Sequence, residues 1–328
     1  MPNSSGKPWT AADIPGLSGK TIIVTGGNSG IGYQAALEMA RKGADVILAC
    51  RSLDKARAAA DTIKVAAPNA KVEVMALDLA SLAAIRTFAE EFHRTHKKLD
   101  VLCNNAGVMA LPYTLTADGF EMQIGTNHLG HFALTGLLLD LLLATPGARV
   151  VNISSGAHRM GKIRFDDLNW EHGYRRWAAY GQSKLANLLF TFELQRRLDA
   201  AGKDLIVAAC HPGYAATNLQ NASAKSAGSL KFLFEAIAGV GNNLLAQSAA
   251  MGALPTLYAA TAPDVEGADY LGPEGLGEMW GHPTKVGCTA AARDPEAAKK
   301  LWELSEQLTS VHYEALGTPA RAASAPTA

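Results

Sequence analysis

Short apolar runs rich in β-branched residues alternate along the chain with longer stretches of helical periodicity. Such runs, bounded by turn residues, predict β-strands. They are "TIIVTG" (21–26), "ADVILAC" (44–50), "KVEVMAL" (71–77), "LDVLCNNAG" (99–107), "ARVVNIS" (148–154), "LIVAACHPG" (205–213) and a weaker run, "ADYLG" (268–272). The stretches of helical period lie near 31–42, 53–66, 81–97, 117–144, 177–200 and 243–260.

This alternation predicts right-handed βαβ units, and therefore a parallel sheet of about seven strands with helices on both faces. The strand runs are apolar at consecutive positions, as a sheet covered on both faces requires. We therefore expect an α/β fold with a single Rossmann-type, doubly wound domain over 19–314. Segments 1–18 and 315–328 are predicted to be flexible tails.

Charge and cysteine content narrow the range of partners. Thirty Lys and Arg residues balance thirty Asp and Glu residues, which argues against nucleic acid or an anionic membrane as the main partner. The four cysteines are far apart and predict buried, reduced thiols. His128 and His131 have no nearby carboxylate pair, so we expect no metal site.

The start of the chain lacks the basic and apolar regions of a signal peptide. The most apolar stretch, 132–144, is short and contains Asp140, which favours a buried helix over a membrane span. We expect a cytoplasmic protein without a membrane span.

A glycine-rich turn, "TGGNSGIG", joins the first predicted strand to the first predicted helix. Small residues there let the backbone approach a pyrophosphate, and the helix N-terminus supplies N–H groups and a positive dipole. This position predicts a dinucleotide site, although glycine also serves any tight turn.

The end of the second strand indicates which dinucleotide binds. An acidic residue there would bind the ribose 2′-hydroxyl of NAD, but the chain has Arg51 and Ser52, with no carboxylate before Asp54. Arginine and a hydroxyl can bind a 2′-phosphate through charge-assisted hydrogen bonds. The sequence therefore predicts NADP(H), with Lys55 as a further candidate ligand. The alternative is a solvated arginine.

Tyr180 and Lys184 in "WAAYGQSKLANLLF" are four positions apart on one predicted helix, and so share one face. A nearby ammonium stabilises a phenolate, so we expect Lys184 to lower the pKa of Tyr180 and to suit it for proton transfer. Taken alone, the pair also fits an ordinary solvated helix.

The order of seven motifs resembles the short-chain dehydrogenase/reductase family over roughly 20–275. These motifs are "TGGNSGIG", "LDL" (77–79), "NNAG" (104–107), "TNHLG" (126–130), "NISS" (152–155), "YGQSK" (180–184) and "HPG" (211–213). "NHLGHF", the long Ser-to-Tyr interval and the late "GHPTKVG" are most similar to the retinol-dehydrogenase-like branch. Light-dependent protochlorophyllide reductases share "NHLGHF", but typically carry a Cys shortly after the catalytic Lys, where this chain has "KLANL".

The resemblance implies a nicotinamide enzyme and assigns its residues. Catalysis would fall to Asn127, Ser155, Tyr180 and Lys184, with Asn127 holding a water that links Lys184 to solvent. The cofactor would lie against Gly26, Asn28, Ser29, Gly30, Ile31, Gly32, Arg51, Ser52, Asp78, Leu79, Asn104, Asn105, Ala106, Gly107, Tyr180, Lys184, Pro212, Gly213 and Thr217. Ser155 is preferred to Ser154 because the family pattern points to the second serine of "NISS".

The expected reaction interconverts an apolar alcohol and its aldehyde or ketone, with Tyr180 as general acid or base. A substrate flap is predicted over 156–179 and a lid over 214–245. The resemblance also suggests a homodimer or tetramer. Two alternatives stay open: a light-dependent pigment reductase, and a non-catalytic NADP(H)-binding scaffold.

Overall fold

The computed structural model describes residues 7–214 and 247–317. Over these residues it has one eight-stranded sheet in the order β3-β2-β1-β4-β5-β6-β7-β8. The strands are β1 Thr21–Thr25, β2 Asp45–Cys50, β3 Lys71–Ala76, β4 Val101–Asn104, β5 Arg149–Ile153, β6 Ile206–Cys210, β7 Tyr270–Pro273 and β8 Pro283–Lys285. The first seven strands pair in parallel, as predicted, and β8 pairs antiparallel with β7 at the edge.

Helices cover both faces of the sheet and follow most of the predicted boundaries. They are α1 Gly30–Arg41, α2 Leu53–Ala66, α3 Leu82–Thr95, α4 Met122–Ile124, α5 Gly130–Leu137, α6 Leu139–Ala144, α7 Arg176–Ala200, α8 Ala249–Thr261 and α9 Pro295–Thr309. Short 3₁₀ turns occur at Ala11–Asp13, Gly156–Met160, Leu276–Glu278, Ala290–Arg293 and Glu314–Leu316. None of the helices in the described part of the chain is long and apolar enough to cross a bilayer.

Two apolar layers flank the sheet because its central strands are buried on both faces. Helices α1, α2 and α8 pack on one face, and α3, α5, α6, the end of α7 and α9 pack on the other. The predicted single Rossmann-type α/β domain is thus what the chain forms.

The predicted helix over 117–144 is interrupted. Residues before Met122 form a turn instead, in which Leu115 bridges to Glu121. The helix then widens to a π-helical turn at Gly125–Leu129 before α5 begins. Wider turns of this kind occur frequently at functional sites, because they redirect backbone carbonyls and side chains.

The structure differs from the predicted tails at both ends of the described chain. Trp9, Ile14 and Leu17 are buried, and the edge of the Trp9 ring meets Tyr258 of α8 at a centroid distance of 5.0 Å. Leu316 is also buried at the other end. Apolar side chains therefore anchor the described parts of the two segments, 7–18 and 315–317, to the core; the rest of the predicted tails lies outside the described chain.

Candidate active site

The predicted motifs come together at the carboxyl edge of the parallel strands. The glycine turn follows β1, "NNAG" begins at the end of β4, the two serines follow β5, and "HPG" follows β6. Ligands of open α/β sheets bind at this edge, where the connections on either side of the sheet diverge.

The glycine turn packs backbone against backbone. Gly26 and Gly30 have φ values of 66° and 57°, which favour glycine. A Cβ at Gly32 would collide with the side-chain amide of Asn105 and with the Gly26 carbonyl oxygen. Ser29 is the N-cap of α1, and among the described residues its side chain does not bond the first turn of that helix. The N–H groups of this turn can therefore bind an external anion. These features fit a dinucleotide pyrophosphate.

Thr25 joins this turn to the loop after β4. Its hydroxyl oxygen accepts the backbone N–H groups of Asn105 and Ala106, both at 2.9 Å. The Asn105 side-chain amide donates in return to the Thr25 carbonyl at 2.8 Å. A Cβ at Gly107 would lie 3.1 Å from Asn127 Oδ1, so the backbone after Ala106 also packs closely against Asn127.

The residues predicted to bind the adenosine end lie after β2 and β3. Arg51 and Ser52 are exposed, and Arg51 forms no ion pair with a carboxylate in residues 7–214 and 247–317. The nearby Asp54 pairs with Arg57 at 3.3 Å instead. Asp78 accepts the Ala80 N–H at 3.0 Å and Leu79 is buried. Arg51 is thus available to a phosphate.

Tyr180 and Lys184 are both buried on α7, one helical turn apart. Lys184 Nζ lies 5.8 Å from the centre of the Tyr180 ring and donates to the Ile153 carbonyl at 3.0 Å. Burial raises the pKa of Tyr180 to about 12 and lowers the pKa of Lys184 to about 8. The net shift of the Tyr180 pKa is upward in this structure, and the expected lowering of that pKa by Lys184 stays a prediction. Burial is the largest cause of both shifts, because it disfavours the charged form of each group.

The two serines after β5 have different partners. The Ser155 hydroxyl lies beside Tyr180, and its interaction with the phenol opposes the rise in the pKa of Tyr180. Ser155 also caps the Gly156–Met160 turn by accepting the Ala157 N–H at 3.2 Å. Ser154 is buried and donates to the Lys184 carbonyl at 2.8 Å. The structure thus places the second serine beside Tyr180, in the predicted arrangement.

Asn127 lies inside the π-helical turn and is fully buried. Its side chain bonds Val108 twice: Oδ1 accepts the N–H at 2.8 Å and Nδ2 donates to the carbonyl at 2.9 Å. Nδ2 also donates to the Ser183 hydroxyl on α7 at 2.9 Å. Asn127 therefore holds together the loop after β4 and the helix that carries Tyr180.

The predicted flap over 156–179 is mostly packed against the domain. Trp170 is buried, and the Tyr174 hydroxyl donates to the Leu111 carbonyl at 2.8 Å. Trp177 is 50% exposed, and its ring meets Tyr180 edge to face at 6.1 Å. Of the predicted lid over 214–245, residues from 215 onward, including Thr217, lie outside the described chain.

Sequence reasoning missed four residues that organise the site. Thr25 joins the glycine turn to the loop after β4, and His131 Nε2 lies 3.0 Å from the Thr25 hydroxyl. Behind Gly213, His211 Nε2 lies 3.0 Å from Glu278, and the hydrogen bond from His211 holds the pKa of that carboxyl below its usual range. The motifs contained Thr25 and His211, but their partners lie 78 and 67 residues away in sequence.

The site therefore combines a backbone cradle for a pyrophosphate with a buried tyrosine, a partly buried serine beside it and a buried amine. Comparison with known proteins agrees with this arrangement. Residues 20–228 match the family model described as "short chain dehydrogenase". Retinol dehydrogenase 13 from Homo sapiens is 45% identical over 90% of this chain and 86% of its own length. Retinol dehydrogenase 12 from Homo sapiens is 42% identical over 91% and 89%.

Solved structures give the same result for the fold. A crystal structure of an uncharacterised protein from Mycobacterium Paratuberculosis covers 94% of this chain and 99% of its own, with 47% identity and a TM-score of 0.77. A structure from Beutenbergia cavernae, described as an NAD(P)-dependent gluconate 5-dehydrogenase with NADP bound at low occupancy, covers 75% of this chain and 90% of its own, with 28% identity and a TM-score of 0.58. The chain belongs to the short-chain dehydrogenase/reductase family, in its retinol-dehydrogenase-like branch.

Proposed function

We propose that this protein is an NADP(H)-dependent oxidoreductase that interconverts an apolar alcohol and its aldehyde or ketone. The observation that carries the proposal is the buried Tyr180 side chain, with the Ser155 hydroxyl beside it and Lys184 one turn away on the same helix. The pair lies beside a glycine turn that fits a dinucleotide.

The residues have separate roles in this reaction. A bound nicotinamide would supply or accept the hydride, and its positive charge when oxidised would favour a Tyr180 phenolate. With a pKa of about 12, Tyr180 is protonated at neutral pH and can donate its proton to a carbonyl oxygen. Ser155 donates a hydrogen bond to that oxygen as negative charge develops there. Lys184 would hold the nicotinamide ribose, and with Asn127 it would supply the next proton.

The preference for NADP(H) rests on Arg51. This exposed guanidinium lies at the end of β2 without a carboxylate partner in the described chain, and the Beutenbergia relative has bound NADP. A charge-assisted bond to the 2′-phosphate is expected to strengthen NADPH binding relative to NADH.

Titration of the protein with NADPH and with NADH tests this preference without knowledge of the substrate. Replacing Arg51 with Ala should weaken NADPH binding about 10-fold to 100-fold and leave NADH binding unchanged. Arg57→Ala, in which an arginine paired with Asp54 is removed from the same surface, is the control and should bind both nucleotides normally. Equal NADPH affinity in the wild type and Arg51→Ala would remove the basis for this choice of cofactor.

The proposed substrate is apolar because apolar side chains border the site. Trp177 is half exposed beside Tyr180, and Met160, from the turn that Ser155 caps, is exposed as well. The relatives at 42–45% identity are named retinol dehydrogenases, which supports an isoprenoid substrate, with aromatic and steroid-like compounds as further candidates.

NADPH consumption with a panel of apolar aldehydes and ketones tests the reaction. The Tyr180→Phe variant should lose about 10²-fold to 10⁴-fold in kcat, the range of general-acid catalysis. Tyr258→Phe removes a tyrosine hydroxyl that bonds Asp264, and should keep the wild-type rate. An undiminished rate in Tyr180→Phe would overturn the mechanism. Nucleotide binding without turnover would favour the scaffold, and turnover that requires light and a porphyrin would favour the pigment reductase.

We further propose a cytoplasmic protein that forms a homodimer or tetramer through the helices at 117–144 and 177–200. These proposals rest on the sequence and on the family resemblance. Analytical ultracentrifugation of the purified protein tests the assembly, and a monomer at all concentrations would contradict it.

A further inference from the structure

Two buried histidines lie three residues apart beside the π-helical turn, and they have different partners. His128 Nε2 lies 2.9 Å from the Ser305 hydroxyl of α9, on the side away from the site. His131 Nδ1 lies 3.0 Å from the carbonyl oxygen of Asn127, and its Nε2 lies 3.0 Å from the Thr25 hydroxyl. Burial lowers the pKa of His128 to about 3 and of His131 to about 4, so both rings are neutral at neutral pH.

The partners of His131 determine which nitrogen carries its proton. A carbonyl oxygen only accepts, so Nδ1 must carry the proton and donate to Asn127. Nε2 is then an acceptor, and the Thr25 hydroxyl donates to it. The Thr25 oxygen in turn accepts the N–H groups of Asn105 and Ala106. The neutral imidazole of His131 therefore connects Thr25, which binds the loop after β4, with the π-helical turn that contains Asn127.

The position of Asn127 affects groups at the reacting end of the site. The Gly130 N–H reaches the Gly125 carbonyl in this turn, five residues back, so the carbonyls here do not follow the pattern of an α-helix. The His131 ring gives the Asn127 carbonyl a fixed partner. The Asn127 side chain forms two hydrogen bonds with the Val108 backbone. The neighbouring Gly107 lies close to Lys184, because a Cβ at Gly107 would be 3.6 Å from Lys184 Nζ.

We propose that His131 is a positioning residue for proton transfer, because its Nδ1–H fixes the Asn127 carbonyl and, through Asn127, the Val108 backbone beside Lys184. This inference rests on the proposed function and adds to it a residue outside the predicted catalytic set. His128, with the same burial on the same helical segment, has a structural role only.

Two amide variants separate the two nitrogens of the ring. In His131→Asn the amide nitrogen takes the place of Nδ1 and still donates to the Asn127 carbonyl, while Thr25 can turn its proton to the Cys103 carbonyl at 3.3 Å. In His131→Gln a methylene carbon displaces the amide to the position of Nε2, and the Asn127 bond is lost. We expect His131→Gln to lower kcat about tenfold, the change expected for the loss of one buried hydrogen bond. We also expect a larger solvent isotope effect on kcat, because proton transfer is the step that is impaired. We expect His131→Asn to stay within about twofold of wild type.

Hydrogen exchange at the Val108 amide tests the same inference without turnover. Its N–H bonds Asn127 Oδ1, so His131→Gln should lose protection there, and His131→Asn should retain it. The controls His128→Asn and His128→Gln should lower the unfolding midpoint but leave Val108 protection and the isotope effect unchanged.

The proposal is overturned if Val108 keeps its protection in His131→Gln, or if His131→Asn falls as far as His131→Gln in protection and rate. NADPH titration of each variant should give the wild-type Kd, which separates proton transfer from cofactor binding. Failure of the proposed function would appear differently, as a wild-type protein whose NADPH consumption does not depend on Tyr180.

Discussion

At the scale of single residues, burial has opposite effects on the two groups that define the site. Tyr180 becomes a weaker acid and Lys184 a weaker base, because the protein interior disfavours both phenolate and ammonium. Their spacing in the sequence predicts that they are neighbours, but it does not predict how deeply the two side chains are buried. Depth decides the direction of both shifts, and it depends on the whole fold.

The buried amine of Lys184 should make stability depend on pH. Its pKa is about 8 when folded and 10.5 ordinarily, so between these values the unfolded chain binds more protons and stability rises with pH. This contribution should amount to about 1 kcal/mol between pH 8 and pH 9. Lys184→Met should remove it, while Asn187 still bonds the Ile153 carbonyl.

Urea unfolding of both proteins at pH 7, 8 and 9 without added nucleotide measures this effect. The difference between wild type and Lys184→Met isolates the one amine from the other titrating groups. Lys162→Met, which removes an exposed lysine, should keep the wild-type dependence on pH. Parallel curves for wild type and Lys184→Met would contradict the burial of a charged amine.

The sequence identified the residues of the site that belong to local patterns. Gly26, Ser155 and Tyr180 lie in short motifs whose order along the chain is informative. His131 lies in "NHLGHF", but the motif does not show what His131 does, because its role depends on Thr25, 106 residues away in sequence. The tautomer of its ring follows only from which groups face each nitrogen.

At the scale of elements, α9 covers the end of the domain beside the π-helical turn. Asp294 caps it by accepting the N–H groups of Glu296 and Ala297, and Pro295 begins its first turn. Trp302 on its buried face contacts Phe132 of α5 edge to face at 5.2 Å. This helix therefore supports the segment that contains Asn127 and His131 from behind.

Removal of the Trp302 ring should destabilise the protein strongly. Besides Phe132, the ring contacts Tyr313 at 4.5 Å and lies under the Arg197 guanidinium at 4.4 Å. Trp302→Ala should lower the free energy of unfolding by about 3–5 kcal/mol, as for other buried tryptophans. Trp177→Ala is the matched control because that ring is half exposed, and it should cost less than about 1 kcal/mol. Similar losses in the two variants, measured by urea unfolding, would show that α9 adds little to the core.

Helices and strands with a strong hydrophobic period could be predicted from the sequence. Elements whose formation depends on tertiary contacts could not. Helix α2 has the predicted bounds and α7 begins one residue earlier than predicted. The π-helical turn has the same apolar pattern as the helix around it, so its wider turn has no sequence signal. The three-residue β8 is too short to show a period, and it forms because β7 offers it an edge.

At the scale of the whole molecule, the strand order explains why the site lies where it does. The strand order reverses at β1, with β2 and β3 on one side and β4 to β8 on the other. The glycine turn after β1 therefore lies between Arg51 on one side and the serines after β5 on the other. A dinucleotide that spans this edge would have its adenosine end near Arg51 and its nicotinamide end near the serines, on opposite sides of the point where the strand order reverses.

The amino-terminal segment closes the face of the sheet opposite α9. Trp9, Ile14 and Leu17 are buried against α1 and α8, Leu17 N–H donates to the Lys42 carbonyl at 2.8 Å, and Lys42 Nζ donates to the Ala12 carbonyl at 2.7 Å. Burial of three large apolar side chains contributes about 6 kcal/mol as an upper estimate. That is a large fraction of the usual stability of a domain.

A chain that begins at Gly19 should therefore unfold at much lower urea concentration than the full chain, with Trp9→Ala between the two. None of the described residues removed, 7–18, lies at the carboxyl edge of the sheet, so NADPH should bind the shortened chain with the wild-type Kd at temperatures where it is folded. The shortened chain should also gain stability from saturating NADPH, by about 3 kcal/mol at 100 times the Kd. An unchanged urea midpoint would mean that the segment is not part of the core. A loss of NADPH affinity in the folded, shortened chain would mean that the two faces of the sheet are coupled through β1.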